Sequence, residues 1–262
     1  MPELPEVASF RSYFERNALG RKIGFARVTE PRIVRGTTPE KIEREHAGSV
    51  FVSIRQHGKY LFAELDTGRW LVLHFGMTGF LEYGLDRKAP PAYTRFLVGF
   101  RGGGVLAYVN QRMLGWVGLA ASPEEVVAGK RLGPSALDPG LDLAVFRQRL
   151  SGRKGEIKPV LMNQAVVAGI GNIYSDEILF QAGIHPRAKV SGLDDERIAA
   201  VFHRMKEVLR MAVERDADIG KLPAQFLLPH RRKDAACPAC GARWARETVG
   251  GRTAYFCPKC QK

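Results

Sequence analysis

Four cysteines close to one end constrain this 262-residue chain more than any other feature: Cys237, Cys240, Cys257 and Cys260, spaced C-x2-C, sixteen residues, C-x2-C. Two close thiolate pairs on short turns complete a tetrahedral zinc site. Four sulfur ligands leave no open position for water, so the expected metal is one structural Zn2+ rather than a catalytic ion. Two disulfides are the competing reading, opposed by a reducing compartment and by the paired C-x-x-C turns. Between the pairs, Arg243 to Val249 and Arg252 to Phe256 flank Gly250-Gly251, which suits a two-residue turn at positive φ. The metal is thus expected to fold a β-hairpin too small to support itself on buried area.

Charge narrows the partner. Residues 230–262 hold eight Lys and Arg against Asp234 and Glu247, a net +6 presented by a rigid module. The whole chain has 40 Lys and Arg against 27 Asp and Glu, a formal +13. A monomer this basic is expected to meet a polyanion, either nucleic acid or an anionic membrane. No run of about 18 apolar residues exists, which excludes a spanning helix. The first residues, Met1-Pro2-Glu3-Leu4-Pro5-Glu6-Val7, lack a basic n-region and an apolar h-region, so no signal peptide is expected and the cytosol is the expected compartment.

Along the chain, Pro5 suits the first turn of a helix, Val7, Phe10, Tyr13 and Phe14 recur at helical spacing, and Gly20 marks the stop. Residues 22–120 read as β-rich, with strands at Ile23–Val28, Val50–Ile54, Tyr60–Leu65, Trp70–His74, Phe96–Phe100, Val105–Val109 and Trp116–Leu119. Short strands at this spacing predict an antiparallel sandwich. The stretch Gly84–Tyr93, with Lys88-Ala89-Pro90-Pro91, reads as an exposed loop. Breakers at Leu132-Gly133-Pro134-Ser135 and Asp138-Pro139-Gly140 predict a linker over 131–142. Helical periodicity follows, clearest in Leu193–Glu214. Gly169-Ile170-Gly171-Asn172 interrupts two helical segments, near 157–167 and 173–182. It reads either as a tight interhelical turn or as a phosphate site at the N-terminus of the second helix. The fold class is α+β, with a sandwich domain over 1–130, the linker, a helical domain over 143–225 and the zinc finger over 230–262.

Taken in order, Pro2-Glu3-Leu4-Pro5-Glu6-Val7, His57-Gly58-Lys59-Tyr60-Leu61, His74-Phe75-Gly76-Met77-Thr78-Gly79, Leu132-Gly133-Pro134, Gly169-Ile170-Gly171-Asn172-Ile173-Tyr174 and the cysteine hairpin span essentially the whole chain. This resembles the formamidopyrimidine-DNA glycosylase/endonuclease VIII family of base-excision repair enzymes, and the N-terminal run and methionine segment look more like the formamidopyrimidine branch. The resemblance implies an N-terminal β-sandwich, a helix–two-turn–helix domain with a zinc finger, and double-stranded DNA containing a damaged base or an abasic site as partner.

The residues fit that chemistry. With Met1 removed, Pro2 is a secondary amine with a useful neutral fraction near neutral pH, able to attack deoxyribose C1′ and form an iminium. With Met1 retained, its nitrogen is a tertiary amide with no basic lone pair. Glu3 suits a general acid or base, or a helix-start charge, and Glu6 shares that choice with a possible base contact. The resemblance makes Lys59 a phosphate contact that assists elimination and makes Asn172 and Arg252 phosphate clamps, Arg252 counted with Pro2, Glu3 and Lys59 among the catalytic residues. Together they would turn the lesion out of the stack, and Met77 would be the wedge that fills the hole, on a turn whose glycines favour an exposed tip.

Two segments depart from the family pattern. Where the family usually reads Asp-Pro-Arg-Arg-Phe-Gly, this chain reads Asn110-Gln111-Arg112-Met113-Leu114-Gly115. Arg112 keeps its donors for an orphaned base, whereas Leu114 fills space and stacks poorly. Ahead of Cys237 only Ile219–Ala236 stands where the formamidopyrimidine branch usually has a longer lesion cap, and His230 stands in place of a tyrosine. A shortened cap predicts a more open pocket, with 8-oxoguanine a weaker substrate than ring-opened purines, oxidised pyrimidines or bulkier lesions. Two other readings compete with the glycosylase/lyase: a non-catalytic damaged-DNA binder on the same scaffold, and a zinc-ribbon transcription or translation factor. The Pro2-Glu3-Lys59 set favours the enzyme.

Overall fold

The structure is a computed structural model, and it describes residues 1–84 and 90–262. The central part of the expected Gly84–Tyr93 loop, including Lys88 and Ala89, lies outside the described residues. Contacts divide the chain into two compact units, Met1–Pro2 with Glu6–Arg131, and Glu3–Pro5 with Leu132–Lys262.

In the first unit, helix α1 (Leu4–Ala18) is followed by two sheets. One has the order β1-β7-β8-β6, formed by β1 (Ile23–Val28), β7 (Thr94–Phe100), β8 (Val105–Asn110) and β6 (Gly79–Gly84), all antiparallel. The other has the order β2-β9-β5-β4-β3, formed by β2 (Val34–Arg35), β9 (Trp116–Ala120), β5 (Trp70–His74), β4 (Tyr60–Leu65) and β3 (Phe51–His57). Strand alternation sets the faces. Leu61, Ala63 and Leu65 of β4 and Leu71 and Leu73 of β5 join Phe96, Val98, Leu106 and Tyr108 in one buried core with Val7 and Phe14 of α1. Phe62, Trp70, Val72 and Trp116 point the other way into a smaller cluster, against which Val126 of α3 (Pro123–Gly129) packs.

The strand β6 has no place among the strands read from the sequence. Glycines close both its ends, Phe80 is exposed while Leu81 is buried, and only its pairing with β8 defines it. Two helices also escaped the periodicity, each marked by a local cap. In α2 (Pro39–His46) the Thr38 hydroxyl accepts the Lys41 amide, and in α3 the Ser122 hydroxyl accepts the Glu125 amide; both have Pro at the first turn.

The second unit is helical: α4 (Leu143–Leu150), α5 (Ile157–Met162), α6 (Asn172–Gln181) and α7 (Asp195–Glu214), then the hairpin β10 (Ala245–Val249) and β11 (Arg252–Phe256). The stretch read as a linker is packed into this unit, with Ala136 and Leu141 buried in its core and Ala136 N–H donating to Ala168 C=O at 2.9 Å. The helix expected to reach residue 167 stops at Met162. There the Gln164 side chain donates to the carbonyls of Met162 and Ile170 and accepts the Gly169 amide, drawing the chain into a loop.

Candidate functional site

The start of the chain is fixed by an unexpected partner. Glu3 is buried, and its carboxylate accepts the amides of Gly171 at 2.6 Å, Ile173 at 2.9 Å and Tyr174 at 3.4 Å. These are donors that the first turn of α6 leaves without helical partners. The next residue adds a main-chain tie, Leu4 N–H to Gly169 C=O at 3.0 Å. Glycine at 171 leaves room for this approach, because a Cβ there would lie 2.4 Å from the Glu3 carboxyl carbon and force it to move. Three amides of this terminus, those of Gly171, Ile173 and Tyr174, are thus taken within the chain, and the Asn172 side chain is not among the groups that Glu3 engages. The anion held there is the protein's own carboxylate. Glu3 therefore complements the positive end of α6. The two glycines carried the signal for a close approach, but nothing in the sequence says that residue 3 makes it.

Asn172 opens α6, half-buried, its carbonyl accepting Lys158 Nζ at 3.0 Å. Arg252 opens β11 and is exposed, directly after Gly250 and Gly251 at φ 56° and 73°. The turn rests on α5, since a Cβ on Gly250 would meet Pro159 Cγ at 2.6 Å.

In the first unit, Lys59 sits in the tight turn joining β3 to β4, where Gly58 has φ 54°, and it is buried rather than displayed as a surface lysine. Its charge is felt by His74. Burial pushes the His74 imidazole down to about 4, and the charges of Lys59, Arg35 and Lys130 push the same way. Lys59, Arg35 and Lys130 thus gather positive charge around the His74 ring. Pro2 and Glu6 are half-buried, and Met1 is exposed.

The structure brings Met77, Arg112 and Leu114 onto two interlaced loops. The Arg112 amide donates to Thr78 Oγ1 at 3.1 Å. Buried Asn110 donates to Phe75 C=O at 3.1 Å and to the Tyr108 hydroxyl at 2.8 Å. Gly76, at φ 61°, lies against Leu114 and Gly115, with no room for a Cβ. Arg112 and Leu114 are exposed, while Met77 is half-buried. The expectation that the glycines make Met77 a bare tip is corrected here: they permit close packing of the two loops. Asn110 and Thr78 lace those loops, a role that nothing in the local sequence pattern marks.

The sulfur atoms of Cys237, Cys240, Cys257 and Cys260 all lie within 4.8 Å of one another, and Cys237 Sγ and Cys260 Sγ are 3.9 Å apart. A tetrahedral ion with bonds near 2.3 Å sets its sulfurs about 3.8 Å apart, so the four thiols fit zinc. The module is sewn to the end of α6: Gln261 receives the Cys257 amide at 2.7 Å and donates to Ile184 C=O at 2.9 Å. No helix among the described residues is long and apolar enough to cross a membrane.

Comparison with known proteins agrees along the whole chain. Residues 1–117 match the formamidopyrimidine-DNA glycosylase N-terminal domain, 132–223 the formamidopyrimidine-DNA glycosylase H2TH domain, and 236–262 a zinc finger found in FPG and IleRS. The formamidopyrimidine-DNA glycosylase of Moorella thermoacetica is 37% identical over 99% of this chain and 92% of its own length. That of Arabidopsis thaliana is 34% identical over 100% of this chain and 71% of its own. The crystal structure of the Lactococcus lactis enzyme, non-covalently bound to DNA containing an AP site, superposes with a TM-score of 0.90 at 30% identity, covering 99% of each chain. Three consecutive domain matches and full-length relatives leave one conclusion: the chain belongs to the formamidopyrimidine-DNA glycosylase family.

Proposed function

We propose that this chain is a bifunctional DNA glycosylase and AP lyase of base-excision repair, acting on double-stranded DNA that carries an oxidised or ring-opened base or an abasic site. The observation that carries the reading is the double tie on Glu3 and Leu4, which fixes the residue covalently next to Pro2. Pre-set geometry of this kind is what a nucleophile requires.

Removal of Met1 frees the Pro2 amine. The amine attacks C1′, the base departs with a proton, and ring opening leaves an iminium that acts as an electron sink. Loss of a C2′ proton then expels the 3′ phosphate, and a second elimination expels the 5′ phosphate. Glu3 supplies the acid–base step at the sugar ring or the departing base. Lys59 assists the first elimination and Arg252 the second, and both contact phosphate with Asn172. Met77, Arg112 and Leu114 occupy the hole left by the flipped nucleotide, and Glu6 faces the extruded base. Zinc, held by the four cysteines, keeps the Arg252 hairpin folded and takes no part in the chemistry.

Between α7 and Cys237, the chain buries Phe226 and Leu227 ahead of a short 3-10 turn (Leu228–His230) that buries Leu228, and the His230 ring bonds to Ala224 C=O at 2.8 Å. A segment packed down in this way supports an open lesion pocket, with ring-opened and bulkier bases preferred over 8-oxoguanine. The cytosol, and the nucleoid in a bacterium, is the matching location.

The test is borohydride trapping on abasic duplex by protein whose mass shows loss of Met1, followed by single-turnover excision on a lesion panel. A covalent adduct that vanishes in Pro2→Gly supports the enzyme. Tight binding without an adduct would leave a damaged-DNA binder, and fastest excision of 8-oxoguanine opposite cytosine would overturn the substrate preference.

A further inference from the structure

Beneath the first turn of α6 lies a buried carboxylate with no part in the chemistry above. Asp176 is 1% exposed. One of its oxygens accepts Lys158 Nζ, and the other accepts Arg231 Nε at 3.0 Å, Arg231 Nη2 at 2.8 Å and the Tyr255 amide at 3.1 Å. Lys158, itself fully buried, also donates to the Asn172 carbonyl. Arg231 lies over the Tyr255 ring, 4.5 Å from its centroid, and donates to Thr253 C=O at 3.3 Å. One carboxylate therefore joins the residue that opens α6 to the strand β11, three residues from Arg252.

We propose that Asp176 is a positioning residue that sets the spacing between Asn172 and Arg252, so that both meet the phosphate backbone of one DNA strand. The inference rests on the DNA-binding roles given to those two residues. The physical reason is rigidity. The turn of the hairpin rests on Pro159 of α5 and is tied by Arg187, which donates to the Glu247 carboxylate and to Thr248 C=O. Asp176 adds a link to β11 itself, taking the Tyr255 amide directly and reaching Thr253 C=O through Arg231, and Lys158 returns that link to Asn172. Buried, charge-assisted bonds suit the task because breaking one leaves an unpaired charge.

The experiment is a double-mutant cycle on zinc-loaded, full-length protein: wild type, Asp176→Asn, Arg252→Ala and the double variant, binding an abasic-analogue duplex across a salt series. Asn keeps the shape and an acceptor for Tyr255 but removes the charge. Asp176→Asn is expected to weaken binding about tenfold and to lower the salt slope by about 1, as Arg252→Ala does, because one phosphate contact is lost. Added to Arg252→Ala, it should cost less than about twofold, the non-additivity of residues acting as a unit. A merely structural Asp176 would give costs that add in full, and that would overturn the inference. If Arg252→Ala alone leaves binding unchanged, the Arg252 assignment falls first and this inference with it. Should Asp176→Asn fail to fold, Arg231→Lys, which keeps the charge and loses the paired bonds, enters the same cycle with the same expectations.

Discussion

The Glu3 carboxylate and the Gly171 amide are 2.6 Å apart, closing a contact between residue 3 and the start of α6 that a single methyl group would abolish. Gly171→Ala places a Cβ within 2.5 Å of a Glu3 oxygen. Displacing a catalytic group by about 1 Å costs on the order of 100-fold, so single-turnover base excision should fall by about that factor. Zinc content and affinity for an abasic analogue should change little. Excision at the wild-type rate would remove Glu3 from the chemistry.

The loop read as a departure from the family pattern yields a second expectation. Leu114 is 48% exposed on a loop held by Asn110 and Thr78. Leu114→Phe supplies an aromatic face, and one stacking contact contributes about 1 kcal/mol or more, so binding to a duplex with an orphaned base should tighten roughly fivefold. Arg112→Ala should weaken discrimination among opposite bases, with a loss of about 1–3 kcal/mol. Excision rates with each of the four opposite bases check both.

Zinc is predicted to hold the hairpin, not to catalyse. Its binding free energy is folding free energy for a module this small, about 10 kcal/mol or more at neutral pH. Cys257→Ser, or chelation, should release the metal, expose Trp244 and abolish binding to abasic DNA. Circular dichroism of the sandwich strands should be retained. Metal analysis with tryptophan emission measures this, and trapping at the wild-type rate by zinc-free protein would contradict it.

His46 gives a pH prediction in the first unit. It is fully buried between Phe51 and Phe96, with Nδ1 2.7 Å from Ile42 C=O, and burial lowers it to about 4. An unfolded histidine titrates near 6.5, so protonation favours the unfolded chain. The stability is present above about pH 6.5 and is lost as pH falls toward 4, on the order of 3 kcal/mol in all. His46→Phe should flatten this acid limb. Urea midpoints at pH 7.5, 6 and 5 for both proteins provide the measure, and parallel slopes would exclude His46.

Much of the molecule follows from local pattern. The zinc set is written in cysteine spacing, the Arg252 hairpin in Gly250-Gly251, and α7 in a repeat of apolar residues every three to four positions. Strands β1, β4 and β5 match their apolar runs residue for residue, and β4 and β5 do so because they bury side chains on both faces of their sheet. Caps at Thr38 and Ser122 also announced helices that periodicity alone overlooked.

What the tertiary structure alone decided is where polar groups far apart in sequence find one another. Glu3 meets an amide 168 residues away, and Asp176 gathers donors from residues 158, 231 and 255. No periodicity encodes such pairs. They form because a buried carboxylate must be satisfied by donors, and the packed backbone offers its unpaired amides at helix starts and strand edges. The sequence by itself determined which chemistry was present and which metal the chain would bind. Folding determined that the acid beside Pro2 is clamped to α6, where it takes three of the amides at the helix start.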